Sequence, residues 1–134
     1  MKFKFTLPNI LEKYSFKIIE TSESMLKFTV TNNANVGSGL AVNFEDSYIF
    51  ILYLEIKNFA PETKRKKIAE YLSIANYGIL KGNFEINPGN GAIRHKYGFC
   101  YEGTNLDMKL IENAVKTSLE NIDIYGEEII SMMK

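Results

Sequence analysis

Ten residues near the middle of the chain, Tyr48–Lys57 (YIFILYLEIK), constrain the fold more than any other stretch. They are apolar at both parities. Phe50, Leu52, Leu54 and Ile56 would share one face of a strand, and Ile49, Ile51 and Tyr53 the other. A strand covered on one side only has no need of Ile49 and Ile51 on its outer face. The second face is therefore expected to be covered, either by another part of the chain or by a second subunit.

The flanking segments supply the rest of a sheet. Phe16–Ile19 and Met25–Val30 read as strands; in the latter, Leu26, Phe28 and Val30 alternate with Lys27 and Thr29. Asn32–Gly39, rich in Asn, Gly and Ser, reads as a loop. Leu40, Val42 and Phe44 then alternate again, and Glu45–Ser47 is expected to turn a hairpin into Tyr48–Lys57. Downstream, Asn83–Asn87 places Phe84 and Ile86 inward. The Pro88-Gly89-Asn90-Gly91 turn joins it to Ala92–Tyr101 as a hairpin.

Three segments read as helices. Leu7–Tyr14 has Pro8 in the first turn, where its missing N–H costs nothing, and Ile10, Leu11 and Tyr14 on one face. A second helix opens at Ala60-Pro61-Glu62, buries Ile68, Tyr71, Leu72 and Ala75, and is expected to end on Gly78 in the left-handed conformation. The third starts near Thr104–Asp107 and carries a stripe of Met108, Ile111, Val115, Ser118, Ile122, Tyr125, Ile129 and Met132, with a break or bend at Gly126. That stripe predicts core in the first place and a dimer seam in the second. The order is α-β-β-β-β-α-β-β-α, an α+β domain spanning residues 1–134, with an antiparallel sheet and helices largely on one face.

Composition narrows the function. Sixteen Lys and Arg balance 16 Asp and Glu, so no net field favours nucleic acid or anionic lipid. The single Cys cannot form an intrachain disulfide, and one Cys with one His cannot build a zinc site. Met1–Leu7 alternates Lys and Phe before Pro8, with no apolar run for a signal peptide, and no segment has the roughly 18 apolar residues of a membrane span. A complete soluble domain in the reducing cytoplasm is expected.

One stretch carries a specific resemblance: Asn76-Tyr77-Gly78 at a helix end, Gly82-Asn83-Phe84-Glu85 leading into a strand, and Asn90-Gly91-Ala92-Ile93-Arg94-His95-Lys96 after the turn. It resembles the bacterial YbjN-type domain, a family labelled a sensory transduction regulator, whose fold is similar to that of type III secretion chaperones. The family pattern has Asp where Asn90 stands, and either residue suits the turn. Over the first half of the chain only the element order matches. The resemblance implies a chaperone-like α+β fold, homodimerisation and a protein-binding role without a defined catalytic site. Asn76 and Asn83 are expected to bond exposed backbone at the corners.

Chemistry is weighed on few residues. His95 and Cys100 are five apart in one strand, hence on opposite faces and roughly 16 Å apart, so they make no nucleophile–base pair. His95 shares parity with Ile93, Tyr97 and Phe99 and reads as a packed histidine; Cys100 reads as a small buried residue. Lys64–Lys67 is the only basic run and reads as a solvated helix face beside Glu62 and Glu70. Gly37–Gly39 and Gly89–Gly91 lack phosphate-loop spacing. No triad, metal cluster or cofactor motif is visible.

The expectation is a non-enzymatic protein-binding or chaperone-like adaptor, homodimeric and cytoplasmic, with no nucleic-acid or membrane partner. Ile49, Ile51 and Tyr53 form its candidate partner or dimer interface. The alternative is a small-molecule or signal-sensing regulatory domain using Tyr77, Asn83, Glu85 and Arg94, which requires a hollow beside those groups.

Overall fold

The computed structural model describes residues 3–134; the reading of Met1 and Lys2 lies outside them. Six strands, β1 (Phe16–Thr21), β2 (Met25–Val30), β3 (Val36–Phe44), β4 (Ile49–Ile56), β5 (Asn83–Ile86) and β6 (Ile93–Cys100), form one antiparallel sheet in the order β1-β2-β3-β4-β6-β5. Helices α1 (Phe3–Lys13), α2 (Arg65–Gly78) and α3 (Met108–Met132) complete the chain. The two-faced segment thus occupies a central strand, β4, between β3 and β6.

Register sets the faces. Phe50 pairs with Asn43 and Phe99, Leu52 with Ala41 and Tyr97, and Leu54 with Gly39 and His95, so these residues point to one side. Phe28, Leu26 and Phe84 join that side from β2 and β5. It is the side the helices cover: Leu7 and Leu11 of α1, Ile68 and Leu72 of α2, and Ile111, Val115, Ile122 and Ile129 of α3 all enter one buried cluster with Phe28, Phe50, Leu52 and Leu54. The stripe on α3 is core from Ile111 to Met132, while Met108 at its start is exposed.

Several local expectations are corrected. The strand β3 begins at Val36, inside the segment read as loop, because Gly39 is a packing glycine. The Phe28 ring lies where a Cβ on Gly39 would come within 2.3 Å of it. The first helix starts at Phe3, with Pro8 inside it. Only one turn precedes the proline, and burial of Leu7, Ile10 and Leu11 offsets the hydrogen bond it cannot donate.

Gly78 is the last helical residue, with Ile79 as an extended C-cap, and the left-handed conformation falls instead on Gly82, φ +76°. The last helix is unbroken at Gly126, which lets it approach the Asn35 side chain, whose Cβ would sit 3.2 Å from an added methyl. Its N-cap is Asp107, accepting a 2.9 Å bond from the Leu110 amide, while Thr104 lies in a preceding turn.

Two side chains tie the hairpin β5–β6 to the rest. Arg65 donates to the Ala60 carbonyl at 3.0 Å and to the Pro88 carbonyl at 3.1 Å, so it anchors the turn rather than belonging to a solvated basic face. Asn76 accepts from the Phe84 amide at 2.8 Å and donates to the Phe84 carbonyl at 3.0 Å. Phe84 sits on the outer strand of the sheet, so Asn76 saturates edge groups that would otherwise be free to pair with another chain.

Candidate functional site: the open face of the sheet

All three helices pack on the Phe50 side, and the opposite face of the sheet carries no helix of the described residues. At its centre stand Ile49, Ile51 and Tyr53 of β4, half-buried by their neighbours. Across the ladder they meet Phe44, Val42 and Leu40 of β3 on one side and Cys100, Gly98 and Lys96 of β6 on the other. Ile51 leans over Gly98, where an added Cβ would lie 3.2 Å from its Cγ1. The result is an apolar band two strands wide, left in solvent by the chain's own fold.

Charged residues frame one end of that band. Arg94 donates through Nε to Glu85 Oε1 at 2.6 Å, and Lys96 Nζ lies 3.6 Å from Glu85 Oε2. The Arg94 guanidinium sits over the Tyr53 ring, 4.1 Å from its centroid, so a cation–π contact joins the charged cluster to the apolar band. Ser38 donates to Glu55 at 3.3 Å beside it. A hollow of about 240 Å³ lies there, bounded by Ile19, Lys27, Leu40, Tyr53, Glu55 and Arg94. A second, of about 380 Å³, lies between Glu55, Glu85, Asn87, Asn90 and Arg94.

The structure therefore brings Glu85 and Arg94 together, with Asn83 opposite Lys96 on the same face. Tyr77 stands apart, 96% exposed at the end of α2 in the helix layer. The expected contribution of the Glu85–Arg94 pair stays at about 1 kcal/mol or less, since both side chains are partly solvated.

His95 and Cys100 fall on opposite faces of β6. His95 is fully buried in the helix-covered layer, and Cys100 is exposed on the open face, not buried as expected, because its position pairs with Ile49 on the side that no helix covers. Burial without a charged partner pushes the His95 pKa down to about 4, so the ring is neutral at pH 7. Its Nε2 lies 3.0 Å from Asn121 Nδ2, and the same amide nitrogen donates to the Lys81 carbonyl at 3.0 Å. His95 also meets the Phe84 ring edge-on, centroids 5.0 Å apart. Asn121 was not singled out by the sequence, where it is one more polar residue on a long helix. No signal short of the three-dimensional register could have found it. Among the described residues no three His, Cys, Asp or Glu side chains are grouped to hold a metal.

Neither a protein-family model nor a curated protein matches the chain. Solved structures do. YbjN from E. coli, a candidate transcription regulator, superposes with a TM-score of 0.68 at 14% identity, over 96% of this chain and 91% of that one. A chain of the HopA1–SchA chaperone–effector complex gives 0.55 at 11% identity, over 93% of each. One of the ExsC–ExsE complex gives 0.52 at 8% identity, over 95% and 96%. The chain has the α+β fold shared by YbjN and type III secretion chaperones.

Proposed function

We propose that this protein is a non-enzymatic adaptor that binds another polypeptide on the open face of its sheet and acts as a cytoplasmic homodimer. The observation that carries the reading is the uncovered apolar band over β3 and β4. Central strands of a sheet rarely leave Ile49, Ile51, Val42 and Leu40 in water without a partner to cover them. Ile49, Ile51 and Tyr53 are the anchors, and the Arg94–Glu85–Lys96 cluster is the polar rim that sets orientation. Two structures of this fold were solved in complexes, one named as a chaperone with its effector, and this supports a polypeptide as the occupant. No helix of the described residues is long and apolar enough to cross a membrane.

The test is capture from a lysate of the protein's own cells, comparing the native chain with Ile51→Glu and Lys109→Glu. A charge at residue 51 is expected to abolish capture of a defined polypeptide, and Lys109→Glu, exposed on α3 in the helix layer, to leave it intact. Equal capture by all three chains would sink the reading.

A second reading, a small-molecule-sensing regulatory domain, is favoured by the two hollows beside Arg94. They place Glu55, Glu85 and Arg94 around a concave surface with Tyr53 as its apolar wall. Thermal stabilisation of the native chain by a metabolite library, lost in Arg94→Ala, would support it over the adaptor.

A further inference from the structure

The connection from α2 to the outer strand β5, Ile79–Gly82, is tied to α3 by one side-chain bond among the described residues. Asn121 Nδ2 donates to the Lys81 carbonyl at 3.0 Å. The same nitrogen lies 3.0 Å from His95 Nε2. A carbonyl oxygen only accepts, so the Asn121 atom facing it is the amide nitrogen and not the amide oxygen. One amide hydrogen goes to Lys81 and the other to His95, whose Nε2 must then receive it on a lone pair. The neutral ring therefore carries its own proton on Nδ1. The connection also lies directly against this ring. A Cβ on Gly82, at φ +76°, would sit 2.5 Å from His95 Cε1 and 2.9 Å from Nε2.

A second proton on this ring has no acceptor. On Nε2 it would set two donors, the ring N–H and the Asn121 NH₂, face to face. Turning the amide over offers its oxygen to Nε2–H but puts that oxygen against the Lys81 carbonyl, two acceptors in contact. Nδ1 gives no relief, since it and Ser118 Oγ, a turn before Asn121, are buried with no hydrogen-bond partner among the described residues. No charged side chain faces the ring either. β4 presents Leu54, β5 presents Phe84, and β6 itself has Ile93 and Tyr97 on that side. From the helices come Ser118 and Asn121, with Tyr125 against Phe84 and Asn76 bonded to it. The ionisable groups among these are phenols, which carry no charge in acid. Lys81 and, on this part of α3, Lys116, Glu120 and Asp123 are exposed. Glu55, Glu85, Arg94 and Lys96 of the strands lie on the open face, and the charged residues of α2 all precede Tyr71.

We propose that Asn121 is a proton-gated latch: protonation of His95 and the Asn121–Lys81 bond exclude one another, so proton uptake frees Ile79–Gly82 while the sheet stays paired. Burial holds the ring neutral at pH 7, with a pKa of about 4, so the latch is closed in neutral solution and opens as the pH falls towards that value. Release stops at β5. Asn76 keeps both of its bonds to Phe84 in either state, since neither partner titrates. The freed segment carries the fully exposed Leu80, so acid remodels the helix side of the molecule and leaves the open sheet face as it is. The latch does not depend on what that face binds.

Nitrogen-15 NMR of the full chain from pH 7 to pH 4 tests it, with the order of β3 and β4 as the control for an intact fold. At pH 7 the imidazole proton is expected on Nδ1. The backbone order parameters of Leu80, Lys81 and Gly82 should then match those of β4, about 0.85, and fall below about 0.6 in step with protonation of His95. Asn121→Ala should show the low values at both ends of the range. His95→Gln, which keeps an acceptor near the Nε2 position but cannot titrate, should stay ordered throughout. A proton on Nε2 at pH 7 overturns the proposal. So does a connection that remains as ordered as β4 after the ring is protonated or until the whole chain unfolds. Equal loosening of native and His95→Gln chains at pH 4 overturns it too, because the proton would then act elsewhere.

Discussion

Lowering the pH should remove stability through His95, and its burial sets both the sign and the scale. Folding buries the ring with no charged neighbour and takes its pKa from 6.5 to about 4. Between these values the unfolded chain binds a proton that the folded chain refuses. Stability is therefore full above pH 6.5 and is lost progressively as the pH falls towards 4. A separation of about 2.5 units at 1.36 kcal/mol each sets the scale. It gives a loss of about 2 kcal/mol at pH 5 and about 3 kcal/mol at pH 4.

Urea denaturation of the native chain and of His95→Leu, run from pH 7 to pH 4, isolates the effect, because carboxylate titrations are common to both. The native chain should lose that margin relative to the variant. The chain has a single histidine, so its ring protons are resolved without assignment in a proton NMR titration. A ring that titrates near 6.5 in the folded protein, or identical pH slopes for the two chains, would refute the burial argument.

Three further perturbations follow from the geometry. Asn76→Ala deletes both bonds to Phe84 and should cost about 1–3 kcal/mol in chemical denaturation. By freeing the β5 edge it should also produce concentration-dependent aggregation, read by light scattering. Gly91→Ala places a methyl 2.1 Å from the Ala60 carbonyl at φ +80° and should lower stability by about 2 kcal/mol or more, with a smaller loss of about 1 kcal/mol at Gly103→Ala, where φ is +83° but nothing lies within 4 Å. Arg94→Ala should change stability by about 1 kcal/mol or less, because the pair it breaks is solvated, while altering whatever binds the open face.

How far the sequence could be read depended on what each residue's reason was. Alternation in Leu26–Val30 and the doubled alternation of Tyr48–Lys57 located the central strands, since side-chain period is a local property. The turn residues at Pro88–Gly91 located the β5–β6 hairpin for the same reason. Glycines misled where their purpose was tertiary. Gly39 makes room for Phe28 and Gly126 for Asn35, yet in sequence one reads as loop and the other as a break. Gly82, not Gly78, takes the left-handed turn because the chain must clear His95, a residue 13 positions away. The parity of His95 placed it in the core, but its bond to Asn121 depends on how α3 crosses the sheet, which no local pattern encodes. On the open face, Glu85 and Arg94 were found by cross-strand parity, whereas Leu80 and Ile124 line one groove only because α3 packs beside the end of α2.

The central claim is that the Ile49–Tyr53 face receives a polypeptide, and site-specific photocrosslinking in living cells tests it most directly. A photoreactive phenylalanine analogue at position 51 should yield a discrete crosslinked species larger than the chain and distinct from its dimer. The same group at Lys109, exposed on the first turn of α3 on the helix side, should yield none. Adducts at 109 and none at 51 would contradict the account and move the docking surface to the helices.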